Sequence, residues 1–204
     1  MLIVFDRAVQ KTCTDSAITS QLDGGCMSVN TDFLTLEYDQ FLDKIPHYGI
    51  YHQMRPWIGK GYPLQSHKVL LVAESHYVGK QFEFHRDPEK WYDGVGTDDS
   101  KGVKSKGFWT RTIIAEGIKN KWREKSAVLY RNMDSALRSS RLFYTCPTNA
   151  FTEVAFMNYF QRPAEISGKS IKVSKQDALV ASQVFREVVC AIRPDAVIFC
   201  GVVA

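Results

Sequence analysis

A three-layer α/β sandwich around a central, mostly parallel sheet of about four strands is the fold class this sequence predicts. Three observations carry that expectation. Short apolar runs recur at Val69–Ala73, Glu153–Phe160 and Ala196–Gly201, each bounded by charged or turn-forming residues, as buried parallel strands are. Stretches with helical spacing of apolar residues lie between them. The resulting order of strand, helical region, strand, helix, strand is that of parallel strands joined by crossovers.

The first 32 residues are mixed in character, with several Thr and Ser and the pair Gly24-Gly25, and read as an N-terminal arm without chemistry. Residues 33–204 read as a single α/β domain. From Asp32 the spacing Phe33, Leu34, Leu36, Tyr38, Phe41, Leu42, Ile45 predicts an amphipathic helix stopped by Pro46. Residues 49–62 interleave aromatic, basic and Gly/Pro residues, as an irregular segment over a sheet edge or pocket does. Arg55, Lys60 and Tyr62 there have the chemistry to reach phosphates or stack on a base. A packed loop with Trp57 as its plug is the plainer alternative. Residues 79–107 form a long polar, Gly-rich insertion carrying Lys101, Lys104 and Lys106, and match neither a Walker loop nor a dinucleotide fingerprint. Helical spacing returns at Trp109, Ile113, Ile114, Ile118 and at Val128, Leu129, Met133, Leu137. Ser174-Lys175-Gln176-Asp177 opens a further helix as a capping-box variant. Its apolar face is Ala178, Ala181, Phe185, Val188, Val189 and Ile192, and Pro194 ends it.

Composition limits the function classes. Of 204 residues, 45% are hydrophobic and 24% charged, which suits an ordinary globular protein with a real core. A net charge of +4 is compatible with a polyanionic partner without requiring one. The five cysteines are odd in number and lack C-x-x-C spacing, which argues against a zinc site, an iron–sulfur cluster or a secreted disulfide framework. Asp6 and Arg7 interrupt the apolar start too early for a signal peptide, and no apolar run approaches the roughly 18 residues that span a bilayer. The expectation is a cytoplasmic protein with no membrane partner, no cofactor and no metal.

The first apolar run leads directly into Glu74, Ser75, His76 and Tyr77. In open α/β sheets the carboxyl ends of strands face the ligand crevice, so these four residues are expected at the mouth of a pocket. The second run delivers Asn158 near its own carboxyl end. For any one of these residues, a cap or a satisfied rim histidine is the plainer explanation; four together point to function.

With those pieces placed, the chain resembles the uracil-DNA glycosylase superfamily over roughly residues 55–204. Ala73-Glu74-Ser75-His76-Tyr77 stands at the place of the family's water-activating motif, which reads Gly-Gln-Asp-Pro-Tyr-His in one branch and Gly-Glu-Ala-Pro-Gly in others. Val154–Asn158 is similar to the family's apolar strand ending in an Asn that reads the base. Arg193–Gly201 looks like the strand preceding the family's last motif. The resemblance implies a DNA-repair N-glycosylase that hydrolyses the N-glycosidic bond of a flipped, deaminated base, with single- or double-stranded DNA as partner. It makes Glu74, Ser75 and His76 the candidate catalytic residues, and Ala73, Tyr77, Asn158, Tyr159 and Arg55 the candidate binding residues. Glu74 would position water beside the sugar, because Ser75 occupies the place of the family's Asp. Tyr77 would close the pocket floor against a thymine methyl. His76 replaces a Pro and inherits no role. Its ordinary pKa near neutrality suits it to general acid or base work.

One departure counts against activity. The family's His-Pro-Ser type loop, which supplies a donor to the departing base, has no counterpart before Ala204, and no histidine follows His85. The alternative expectation is a catalytically inactive nucleic-acid or nucleotide-binding module of the same fold. A small-molecule hydrolase using Ser75 and His76 is disfavoured by the absent G-x-S-x-G elbow and by the opposite facing of adjacent strand residues. A metal-dependent phosphoesterase finds no ligand spacing.

Overall fold

The computed structural model describes residues 32–78, 82–94, 109–140 and 147–200. The N-terminal arm, Cys13, Cys26, Cys146, and Lys101, Lys104 and Lys106 of the polar insertion lie outside the described residues.

Four strands form one sheet: β1 (Trp57–Ile58), β2 (Val69–Ala73), β3 (Ala155–Asn158) and β4 (Ala196–Phe199). Their order is β1-β3-β2-β4. β2 runs parallel to both β3 and β4, while β1 lies antiparallel against β3, so the sheet is mixed. The helices are α1 (Asp39–Leu42), α2 (Pro46–Ile50), α3 (Pro88–Tyr92), α4 (Thr110–Lys119), α5 (Val128–Ser139) and α6 (Lys175–Ile192). The chain is therefore of the α/β class.

Side chains alternate along each strand and build two cores. Leu70, Val72, Ala155, Met157 and Val197 face Val184, Val188 and Ile192 of α6. Val69, Leu71, Ala73 and Phe156 face Ile114 and Ile118 of α4 and Met133 and Leu137 of α5. Leu70 and Leu71, 0% and 1% exposed, go to opposite sides, and each contributes about 2 kcal/mol by burial. Every residue of β2 is buried, which is why its sequence reads as a continuous apolar run and not as an alternation.

α6 begins as its sequence indicates: the Ser174 side chain accepts from the Asp177 N–H and the Asp177 carboxylate accepts from the Ser174 N–H. It stops at Arg193, which is left-handed at φ 48, ahead of Pro194. Ala178 is exposed, and the buried stripe is Asp177, Ala181, Val184, Val188 and Ile192.

The expected helix over residues 33–45 is a correction. Leu34 makes an isolated bridge to Gly59, and helix is confined to the single turn of α1. Pro46 starts α2 and does not stop a helix, since a first-turn residue needs no N–H donor and its fixed φ suits that position. Trp57 is fully buried, with its Nε1–H donating to Phe151 O at 2.7 Å, and also forms half of β1. Cys190 is disulfide-bonded while Cys200 is a free thiol. Among the described residues no helix is long and apolar enough to cross a membrane.

Candidate functional site

The register of the parallel pair β2–β3 sets the site. Ala73 pairs with Asn158, so the two strands end side by side. Ala73 belongs to the core under α4 and α5, and alternation from Phe156 places Asn158 on that same face. Beyond the tips opens a cleft of about 560 Å³ whose walls include Glu74, His76 and Asn158 from the sheet and Trp122, Arg123 and Tyr130 from the α4–α5 region. Ala73, Ser75 and Tyr77 line it too.

Glu74 is half-buried and held from a third segment. Its Oε1 accepts from the Ile171 N–H at 2.9 Å and its Oε2 from the Ser170 hydroxyl at 3.1 Å. The loop supplying those donors is shaped by Arg162. Its Nε and Nη2 grip the Asp177 carboxylate at 2.8 Å each, its Nη1 donates to Glu165 and to His85 O, and its Nη2 also donates to Lys172 O. Both Arg162 and Asp177 have 0% exposed side chains.

His76 is buried, and its Nε2 lies 3.0 Å from Asn158 Nδ2 and 3.2 Å from Thr110 Oγ1. With the Asn158 amide N–H donating to it, Nε2 is the acceptor and the ring proton sits on Nδ1. Burial pushes the imidazole down to about 3. It is therefore neutral at physiological pH. What it does is orient the Asn158 amide. That leaves the second Nδ2–H and the Oδ1 of Asn158 for other partners.

Two buried polar atoms on the cleft-lining residues have no hydrogen-bond partner: Ser75 Oγ and Trp122 Nε1. Eight further buried atoms among the described residues, on His47, Tyr48, Gln53, His85, Gln161 and Glu187, are likewise without a partner and lie away from the cleft lining. The indole of Trp122 lies against Gly117, where any Cβ would collide with the ring, and stacks on Tyr130 at 5.2 Å and 13°. Burial, with the nearby Tyr77 adding, pushes the Tyr130 phenol up to about 12. Tyr77 itself is exposed at the rim, its phenol raised by burial and by Glu74.

Neither a family model, nor a curated protein, nor a solved structure matches this chain.

Of the residues singled out from sequence, Ala73, Glu74, Ser75, His76, Tyr77 and Asn158 converge on the cleft. Two do not. Arg55 is engaged elsewhere, 2.6 Å from Asp43 and 3.4 Å from Asp39, with its Nε–H on His52 O. Tyr159 follows Asn158 and so faces the other side of the sheet, against Phe185 and Phe199. Trp122, Arg123, Tyr130, Ser170 and Arg162 were not found from sequence. Among the described residues no group of three or more His, Cys, Asp or Glu is placed to hold a metal ion.

Proposed function

We propose that the cleft receives a nucleobase turned out of a nucleic-acid strand and that the protein is a uracil-DNA glycosylase-like N-glycosylase. One observation carries this reading: Glu74 and Asn158 lie at adjacent parallel strand tips and both line one cleft with aromatic residues in its wall. The free N–H and carbonyl of the Asn158 amide form a donor–acceptor pair suited to the O4 and N3–H of uracil, a pattern cytosine inverts. Tyr130 supplies apolar aromatic surface on the same wall, with the buried Trp122 ring stacked behind it. On this reading Glu74 positions a water for attack on the sugar C1′ and takes that water's proton. The C–N bond breaks with its electron pair leaving on the base. Positive charge accumulating on the sugar is offset by the carboxylate.

A second reading has its own observation. Both Glu74 oxygens already accept hydrogen bonds from Ser170 and Ile171, as in a carboxylate kept for structure. On that reading the protein is a base-binding module without chemistry.

Oligonucleotides carrying uracil, hypoxanthine or xanthine, single- and double-stranded, followed by alkali treatment, separate the two. The enzyme gives strand breaks at the modified base. Glu74→Gln lowers them by on the order of 10²-fold while leaving base-dependent binding in place, and Asn158→Ala removes that binding. Base-dependent binding without breaks selects the module. Neither breaks nor base-dependent binding overturns both.

A further inference from the structure

Beside the cleft lies a second depression of about 410 Å³, walled by Lys119, Asn120, Lys121, Arg123 and Glu124. Asn120, Arg123 and Glu124 belong to both, so the two are continuous. Their charges are opposite. Among the described residues, the cleft lining carries Glu74, Glu116 and Glu124 together with Arg123, and His76 is neutral. Among the described residues, the depression carries Lys119, Lys121 and Arg123 together with Glu124. All three cations are exposed, and among the described residues none is paired with a carboxylate.

The backbone gives the arrangement a second peculiarity. α4 closes with the Lys121 N–H on Ile118 O at 3.1 Å and the Trp122 N–H on Gly117 O at 2.9 Å, the paired bonds of a Schellman turn. The residue after the cap in such a turn is left-handed and is usually glycine, because a Cβ is strained there. Here that residue is Lys121, at φ 52, followed by Trp122 at φ 53. A lysine stands where the backbone alone favours glycine, and it lines the basic depression.

We propose that the α4–α5 turn is a phosphate-binding face for a nucleic-acid strand, with Lys119, Lys121 and Arg123 on its phosphodiesters and the strand's base directed into the adjoining cleft. The charge division supplies the orientation: carboxylates in the cleft repel the backbone, and the neighbouring cations attract it. Only the placement of the base rests on the cleft reading given above.

Fluorescence anisotropy of a fluorescein-labelled oligothymidylate, titrated with the full chain over a series of salt concentrations, tests the proposal. The native chain binds at low salt, with log affinity falling linearly in log salt. Lys119→Gln/Lys121→Gln/Arg123→Gln binds at least about tenfold more weakly, with a slope shallower by about 2, as the loss of three single-strand phosphate contacts requires. The matched pair Lys175→Gln/Arg186→Gln, on exposed positions of α6 across the sheet, changes neither. Lys121→Gly raises the melting temperature and weakens binding together, whereas a purely structural turn would gain stability with binding unchanged. Absence of oligothymidylate binding by the native chain, an unaltered affinity and slope in the triple variant, or undiminished binding by Lys121→Gly overturns the proposal. Asn158→Ala removes the base reader and no phosphate ligand, so it keeps the salt slope even if the cleft reading fails.

Discussion

Arg162 and Asn158 lie four positions apart, and both are buried at the carboxyl end of β3, yet their surroundings are completed differently. Each of the five N–H donors of Arg162 finds an acceptor within the chain, on Asp177, Glu165, His85 O and Lys172 O. Around Asn158 the bonding stops short: Ser75 Oγ and Trp122 Nε1 are buried with no partner, and the amide has one N–H in reserve. The guanidinium itself is closed, although His85 Nδ1 and Nε2 and Gln161 Oε1 near it are also buried without partners; the Asn158 amide is open and keeps capacity for a ligand.

The comparison breaks most sharply at Arg162. Arg162→Met strands the Asp177 carboxylate in the interior and costs about 3–5 kcal/mol in urea unfolding. Adding Asp177→Leu recovers part of that loss, because the uncompensated charge is gone. A smaller effect follows from His76, whose imidazole falls from 6.5 to about 3 on burial. The unfolded chain binds this proton more readily than the folded one. Stability is therefore full above about pH 6.5 and declines as pH drops toward about 3, by about 2 kcal/mol between pH 7 and pH 5. His47, lowered to about 4 by burial, adds in the same direction. Denaturation midpoints across that range measure the decline, and His76→Gln flattens it. Least of all is expected from Ser75→Ala, which removes a hydroxyl that bonds to nothing: the melting temperature stays within the equivalent of about 0.5 kcal/mol, in contrast to Arg162→Met.

Much of this organisation was readable from sequence where one local rule sufficed. β2, β3 and β4 announced themselves as apolar runs, α6 by Ser174 and Asp177, and α4 and α5 by their spacing. Glu74 through Tyr77 and Asn158 were found because a strand tip is a place defined by the strand itself. Arg162 was missed because a buried guanidinium looks no different in sequence from an exposed one until Asp177 folds against it. Trp122 was missed because it adopts a left-handed backbone that residue type argues against. Placing Tyr159 at the site ignored the two-residue period that turns it away from Asn158, and Arg55 read as a free cation because its partners, Asp39 and Asp43, are 16 and 12 positions back. A cleft was anticipated from strand ends; the basic turn beside it was not, for its three cations are spread over five residues otherwise typical of a solvated loop.

The clasp on Glu74 joins opposite sides of the sheet. Ser170 and Ile171 hold the carboxylate just past the tip of β2, Arg162 fixes their loop, and Arg162 is anchored by Asp177 in the first turn of a helix packed on the far face from α4 and α5. Ile171 follows Glu74 by 97 positions. On the ribosome, then, a growing chain exposes the acidic group long before anything can restrain it, and its final posture arrives only with the seating of α6.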